Sequence, residues 1–212
     1  MTEKGIIATS FPVQQSNKTN DFKLSNDLIK ISKTFNKGGK LSPFLNTGLM
    51  IDGNVHTTKT VASYNGERTV LGDLLQKEDV KEEFFIAEKD KPRWEYLKGS
   101  KKEKRVTKDG YEYNYSEGSM IYPDALDNAS RTIITGEGGK SPSRFKHVIK
   151  VDSETYRRLT PLELERLNMF PDNHTKLEGI TDTKRAFFMS NALVIGVIEK
   201  IGKELYERIN ER

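Results

Sequence analysis

The run Arg157-Arg158-Leu159-Thr160-Pro161-Leu162-Glu163-Leu164-Glu165-Arg166-Leu167-Asn168-Met169-Phe170-Pro171-Asp172 constrains the fold of this chain more than any other stretch. It spells out both ends of one helix. Thr160 is an N-cap, and Pro161 suits the first helical position, where a missing N–H costs nothing. Glu163 completes a capping box by reaching back to the Thr160 N–H. Leu162, Leu164, Leu167 and Met169 can line a buried side, and Pro171 ends the helix. Arg166 follows Glu163 at the i,i+3 spacing at which opposite charges on a helix can pair.

A second helix is expected from about Asn191 to Arg208, with Leu193, Val194, Val197, Ile198, Ile201 and Leu205 as its apolar stripe. The chain upstream reads as irregular and β-rich. Gly5 to Val13 is a short apolar run read as a buried strand, and 14–27 as polar loop. Residues 28–35 are a short apolar-periodic piece, followed by a turn cluster at 36–40. Residues 48–51 and 55–58 read as strands joined by Asp52-Gly53-Asn54, a hairpin turn. A helix capped by Asp73 is expected over 73–81, and strands over 84–86, 130–135 and 145–151. Lys108-Asp109-Gly110-Tyr111 is a further turn, and 136–140 is a Gly-rich loop able to bring backbone close to a ligand. There is no internal repeat.

The 212 residues allow one large or two small domains. Hydrophobic residues make up only 34% and charged residues 31%, which fits either a polar globule or a portion whose core another chain completes. No apolar run approaches the 18 residues of a membrane span, and Met1-Thr2-Glu3-Lys4 lacks a signal-peptide pattern. A cytoplasmic location is the expectation. With no cysteine there is neither disulfide nor Cys-based zinc site, and His56, His147 and His174 lack ligand spacing, so no metal is expected. Net charge is a mild +4, but between Lys91 and Gly110 eight basic residues face three acidic ones. Trp94, Tyr96, Tyr111, Tyr113 and Tyr115 flank this segment. The combination suits contact with phosphates and bases; a solvated loop or hairpin accounts for the charge equally well.

The Arg157–Asp172 run and a later one, Phe188-Met189-Ser190-Asn191-Ala192-Leu193-Val194, together resemble the last two motifs of the cytosine-5 DNA methyltransferases. The first matches an Arg-x-Leu-Thr-Pro-x-Glu-x-x-Arg-Leu-x-x-Phe-Pro pattern. The second matches Gly-Asn-x-Val with Ser190 where the family usually has Gly, a residue that admits positive φ without strain. Ser130 to Gly139 is similar to the family's Thr-Leu/Ile element with its Gly-rich loop. Gly5-Ile6-Ile7-Ala8 is similar to the strand after its Gln-x-Arg-x-Arg motif. The cofactor loop Phe-x-Gly-x-Gly, the Pro-Cys loop, Glu-Asn-Val and Gln-x-Arg-x-Arg are not found.

The resemblance implies an α+β chain: an irregular β-rich target-recognition domain followed by C-terminal helices, the last completing a doubly wound α/β catalytic domain supplied by another chain. The implied division is 1–15 as a strand of the catalytic domain, 16–185 as the DNA-binding domain, and 186–212 as the helix returning to the cofactor domain. The implied activity is methyl transfer from S-adenosylmethionine to cytosine in a specific duplex DNA sequence, in a restriction-modification system. The chemistry uses a cysteine thiolate on carbon 6 of a flipped cytosine, with a glutamate at N3. No catalytic residue is therefore expected here, and a catalytic subunit with Pro-Cys and Glu-Asn-Val must be the partner in a heterodimer. Alternatives are a stand-alone DNA-binding or regulatory module, and an unrelated basic β-rich nucleic-acid-binding protein with a helical dimerisation tail.

By the same resemblance Asn191, Ala192 and Leu193 line the cofactor pocket, although an Asn before an apolar helix is also an ordinary N-cap. Thr132 and Ile133 sit near the flipped nucleotide, or are plain strand residues. Gly138 and Gly139 let backbone approach DNA, or only make a turn. Arg131, Lys140, Arg144 and Lys146 around this element, with Lys101, Lys102, Lys104 and Arg105 of the basic run, are the candidate phosphate contacts, though surface charge alone accounts for the first four equally well. Arg157, Arg158, Glu163 and Arg166 are read as structural.

Overall fold

A computed structural model describes residues 4–24, 27, 29, 33 and 43–211. The apolar piece expected over 28–35 and the turn at 36–40 fall almost wholly outside them. The chain divides into two compact units: residues up to Glu67 together with those from Glu199 on, and Arg68–Ile198. This division differs from the expected boundaries after residues 15 and 185, because the strand that starts at Val13 pairs with a partner ending at Ala62.

The first unit holds α1 (Ile6–Ser10) and an antiparallel sheet of β1 (Val13–Lys23), β2 (Thr47–Ile51) and β3 (Asn54–Ala62), in the order β1-β3-β2. The β2–β3 hairpin forms as expected. Ile51 pairs with Asn54 across Asp52 and Gly53, whose φ angles of +50° and +77° suit a two-residue turn between right-twisted strands. Central β3 buries Val55, Thr57, Thr58 and Thr60. Two expectations fail here. Ile6-Ile7-Ala8 is helical, since so short an apolar run has no period to separate strand from helix. The polar 14–23 segment is strand, because β3 offers it a backbone ladder and an edge strand can keep a polar outer face.

In this unit α1 is tied to the later part of the last helix, α5 (Ile195–Asn210). Ser10 Oγ donates to the Lys200 carbonyl at 3.3 Å, and Arg208 donates to Thr9 Oγ1 at 3.1 Å.

The second unit contains α2 (Lys91–Lys98), a hairpin of β4 (Lys101–Val106) and β5 (Glu112–Glu117), and a two-residue pair of β6 (Ile149–Lys150) and β7 (Tyr156–Arg157). Then come α3 (Pro161–Leu167), α4 (Asp182–Asn191) and the start of α5. Its apolar core is small: Leu71, Ile149, Leu159, Leu164, Ala186 and Met189, with Leu75, Leu126, Ile133, Leu167, Phe170 and Ala192 packed around it.

Charged side chains fill much of the rest. The Arg157 guanidinium, 3% exposed, makes a two-pronged contact with fully buried Glu163 at 2.6 and 2.8 Å. Glu163 also accepts from the N–H groups of Thr160 at 2.7 Å and Gln76 at 2.8 Å. A second buried pair joins Arg185 of α4 to Glu165 of α3 at 2.9 Å, with the Thr175 N–H donating to the same carboxylate at 3.0 Å. Burial would raise the Glu165 pKa, but bonds from Thr175 and Arg185 prevail and lower it.

These networks explain where regular structure stops short of expectation. The capping box at α3 is present, with Thr160 Oγ1 accepting from the Glu163 N–H at 3.3 Å. The helix expected over 73–81 is a single 3-10 turn, Leu71–Leu74. Asp73 accepts from the Val70 N–H at 2.8 Å from within that turn instead of capping a helix. The Leu74 and Leu75 carbonyls beyond it accept from Arg166 at 3.1 and 3.3 Å, and the Gln76 N–H goes to Glu163, so no helical ladder forms.

The strand expected over 145–151 shrinks to Ile149–Lys150. The His147 and Val148 N–H groups donate to the carboxylates of Glu137 at 2.5 Å and Asp124 at 2.8 Å. Residues 130–135 form no strand and are held through side chains. Arg131 bonds Asp124 at 2.6 and 3.0 Å, and Ser130 Oγ lies 3.1 Å from His147 Nε2. Residues 84–86 lie beside β7 through one bridge, Phe85 to Arg157. Arg166 does not pair with Glu163 as its spacing suggested. It reaches Asp172 at 2.6 and 2.8 Å, because Glu163 points inward to Arg157.

Removing one partner of a buried pair leaves the other charge uncompensated, which costs about 3–5 kcal/mol. Glu163→Ala is expected to destabilise the chain by about that amount in urea denaturation, since it strands Arg157 and two backbone N–H groups. A loss below about 1 kcal/mol would show that the network is dispensable.

Candidate DNA- and cofactor-facing cleft

The expected final helix from Asn191 is two helices. Thr181 caps α4 by accepting from the Lys184 N–H at 3.3 Å, α4 runs to Asn191, and α5 begins at Ile195. Asn191 is thus the last residue of a helix and not an N-cap; its amide donates to the Phe187 carbonyl at 2.8 Å. Ser190 is helical, outside the positive-φ residues, so no strain attends a non-Gly residue there. Its hydroxyl donates to the same Phe187 carbonyl at 2.7 Å.

Asn168, at the end of α3, holds the break between the helices. Its amide donates to the Met189 carbonyl at 2.6 Å, and its carbonyl accepts from the Ile195 N–H at 3.0 Å. Met169 follows in the left-handed region at φ +61°, the usual way to close a helix, with its N–H on the Arg166 carbonyl at 2.9 Å. The two sequence motifs are therefore one piece of structure, joined by buried Asn168 as well as by the packing of Leu164 and Leu159 with Met189.

Around this joint lies an open cleft of about 700 Å³. Arg131, Thr132 and Ile133 line it together with Ala192 and Leu193, so it gathers five of the candidate residues. Leu71, Leu167 and Met189 give it an apolar wall, and Asn168, Met169 and Ser190 also line it. Asn191 does not. Sequence reasoning missed Asn168 and Met169 as cleft residues, because they occupy unspecified positions of the first motif and the helix was expected to run on to Pro171, whereas it ends at Leu167.

The other candidates lie elsewhere, and several are committed to the protein itself. Arg131 is paired with Asp124 and also donates to the Phe145 carbonyl at 3.0 Å. The Asp124 pKa is lowered: burial pushes it up, but bonds from Arg131 and the Val148 N–H outweigh this. At Gly138 a Cβ would lie 2.8 Å from Ala186 Cβ and from Thr183 Cα, so packing against α4 requires a glycine there. The Gly138 and Gly139 carbonyls accept from Arg158 at 3.4 and 3.2 Å.

Arg144 donates to the Leu97 and Gly99 carbonyls at 3.1 Å each and to the Gly118 carbonyl. Lys101 donates to the Leu97 carbonyl at 3.0 Å and pairs with Glu117 at 3.2 Å, while Arg105 pairs with Glu103 at 3.1 Å. Lys140 pairs with Glu83 at 2.9 Å on an exposed surface. Lys102 and Lys104 alternate outward on β4 and are exposed. Among the described residues no group of three or more acidic, His or Cys side chains could hold a metal, and no helix is long and apolar enough to cross a membrane.

A family model described as C-5 cytosine-specific DNA methylase matches residues 10–207. The chain belongs to that family. It is 38% identical over 204 residues to the type II methyltransferase M.Sau3AI of Staphylococcus aureus. The match covers 95% of this chain but 47% of that protein, so the chain spans about half the length of this curated relative. Among solved structures it is similar to the Entamoeba histolytica methyltransferase EhMeth: TM-score 0.47, 14% identity, 96% of this chain and 56% of that one. Schizosaccharomyces pombe (S. pombe) Dnmt2 gives TM-score 0.47 at 12% identity, covering 91% and 58%.

Below the cleft-lining segment 130–133 sits a buried lysine. Lys98 donates to the Lys146 carbonyl. Burial, its dominant influence, pulls its pKa down to about 8, against opposition from Asp124. A lysine in the unfolded chain titrates near about 10.4. Between about pH 8 and about pH 10.4 the unfolded chain therefore binds more protons, and unfolding free energy rises with pH. The burial penalty is complete below pH 8 and relieved above it. Relative to Lys98→Met, the native chain is expected to gain stability between about pH 7 and about pH 10 in paired urea denaturations. A constant difference would place the ammonium in solvent.

Proposed function

We propose that this chain is the DNA-reading portion of a cytosine-5 DNA methyltransferase of a restriction-modification system. Its last two helices would close one wall of the S-adenosylmethionine pocket of a catalytic portion on another polypeptide segment. The cleft carries this reading: Arg131, Thr132 and Ile133, matched to the family's recognition element, share it with Ala192 and Leu193, matched to its cofactor motif.

The absence of cysteine sets the division of labour. The nucleophile for carbon 6 and the glutamate for N3 come from the segment bearing Pro-Cys and Glu-Asn-Val. S-adenosylmethionine supplies the methyl group when bound. A cleft of about 700 Å³ falls in the ordinary range for such ligands, about 300–1,000 Å³, and its apolar wall at Leu71, Leu167, Met189 and Leu193 suits exclusion of water. Ala192 and Leu193 contribute packing surface, while Asn168 holds them in place by bonding the turn on either side. Thr132 and Ile133 border the extruded nucleotide, and exposed Lys102, Lys104 and Lys140 meet backbone phosphates of the duplex.

The exposed helix faces favour this reading over a stand-alone module. Val197 and Ile198 on α5 are 40% and 45% exposed and Leu193 in the turn before it is 68% exposed, apolar surface that a catalytic partner would cover.

The purified chain alone is expected to transfer no labelled methyl group from S-adenosylmethionine to duplex DNA. Mixing with a polypeptide carrying Pro-Cys and Glu-Asn-Val is expected to restore transfer, and Leu193→Asp to reduce it in the mixture. Transfer by the chain alone would overturn the proposal.

DNA binding is expected to be weak and salt-sensitive. Replacing Lys102 and Lys104 with Ala should reduce the slope of log K against log salt by about 0.9 for each phosphate that is no longer neutralised, equally for all sequences. An unchanged slope would remove the β4–β5 hairpin from the DNA interface.

A further inference from the structure

A second cavity, of about 320 Å³, lies between α2, the inner face of the β4–β5 hairpin and the segment at Arg144–Phe145. It shares no lining residue with the larger cleft, although Arg131 of that cleft bonds the Phe145 carbonyl. The register explains its chemistry. Lys101, Glu103 and Arg105 alternate to one face of β4, opposite Glu117, Tyr115 and Tyr113 of β5. On that face the Arg105 guanidinium lies over the Tyr115 ring at 3.4 Å from its centroid. Across the cavity Tyr96 carries Lys101 at 4.9 Å and Arg93 at 5.5 Å from its ring centre.

Two aromatic rings here are exposed on fixed backbone. Tyr96 is 52% and Phe145 53% exposed. The Phe145 carbonyl is held by Arg131, and its neighbour Arg144 bonds the carbonyls of Leu97, Gly99 and Gly118. Rings presented this way lose little entropy when something stacks on them. Four cations line the cavity, Arg93, Lys101, Arg105 and Arg144; Lys101 and Arg144 share the Glu117 carboxylate and Arg105 pairs with Glu103, so the cations outnumber the carboxylates four to two. A surplus of positive charge suits one phosphate, aromatic and guanidinium faces suit a planar base, and carboxylates suit an exocyclic amine. An acidic peptide would use the cations and leave the rings idle.

We propose that this cavity binds a single unstacked nucleotide, its base against Tyr96, Phe145 or the Arg105–Tyr115 stack and its phosphate on the surrounding cations. The nucleotide is either an unpaired position of a DNA strand or a free mononucleotide. The proposal rests on DNA binding by this unit only for the first source.

The test uses the full chain and two fluorescent duplexes of equal length, one fully paired and one with a single unpaired 2-aminopurine, plus free dCMP and dAMP as competitors. The unpaired duplex is expected to bind about tenfold tighter than the paired one, the size of one base–aromatic stack. Phe145→Ala and Tyr96→Ala should each bring that ratio towards one while leaving the thermal melt unchanged. Binding of dCMP or dAMP, lost in the same variants, would identify the free nucleotide as the occupant and would uphold the site even if neither duplex bound. A ratio of one together with no mononucleotide binding overturns the proposal, as does a preference that both variants retain. Failure of the paired duplex alone to bind would count against the DNA-reading proposal and not against this site.

Discussion

The Arg157–Glu163 pair is the contact on which most of the second unit depends. It joins β7 to the first turn of α3, and the same carboxylate satisfies the N–H groups of Thr160 and Gln76. A lone charge in that place would be costly; here the guanidinium and both N–H groups donate to it. The chain before α3 is thereby tied to the helix start, and Arg166 repeats the device by taking the Leu74 and Leu75 carbonyls. A protein with only 34% hydrophobic residues can fold this way because side-chain charges replace the backbone ladders its irregular segments lack.

This also fixes what could be read from the sequence. The Thr160 cap, Pro161 and Glu163 lie within four positions and act locally, so their pattern translates directly into the start of α3. The Asp52-Gly53 turn is local in the same sense. Apart from Ile6-Ile7-Ala8, a run too short to carry a period, the main failures are non-local. Residues 145–148 alternate like a strand, yet Glu137 and Asp124 claim their backbone donors. The segment from Val13 to Lys23 is polar, yet β3 recruits it. Nothing within either segment announces such partners.

The candidate site was legible in the same uneven way. The resemblance singled out Thr132 and Ile133 separately from Ala192 and Leu193, and the fold lines one cleft with all four; the resemblance also set Asn191 at a helix start that lies four residues further on. Charge was the poorer guide. Of the cations singled out, Arg131, Arg144, Lys101 and Arg105 are occupied by Asp124, Glu117 or Glu103. Intramolecular pairing of this kind cannot be read from net charge, because it depends on which carboxylates the fold brings near.

Asn168 shows how the two motifs depend on one another. A break between helices leaves a carbonyl at one end and an N–H at the next without helical partners, and such groups must be satisfied when buried. At Asn168 both are met, the Met189 carbonyl by the side-chain amide and the Ile195 N–H by the backbone carbonyl, of which only the first needs asparagine. Aspartate would set a carboxylate against a carbonyl oxygen, and alanine would leave that carbonyl only the Ala192 N–H at 3.3 Å. Because Met189, Ser190, Ala192 and Leu193 line the cleft, the position of that wall follows the end of α3, and α3 follows the Arg157–Glu163 pair. The buried charge network and the cleft wall are thus linked through one helix, α3, and the asparagine at its end.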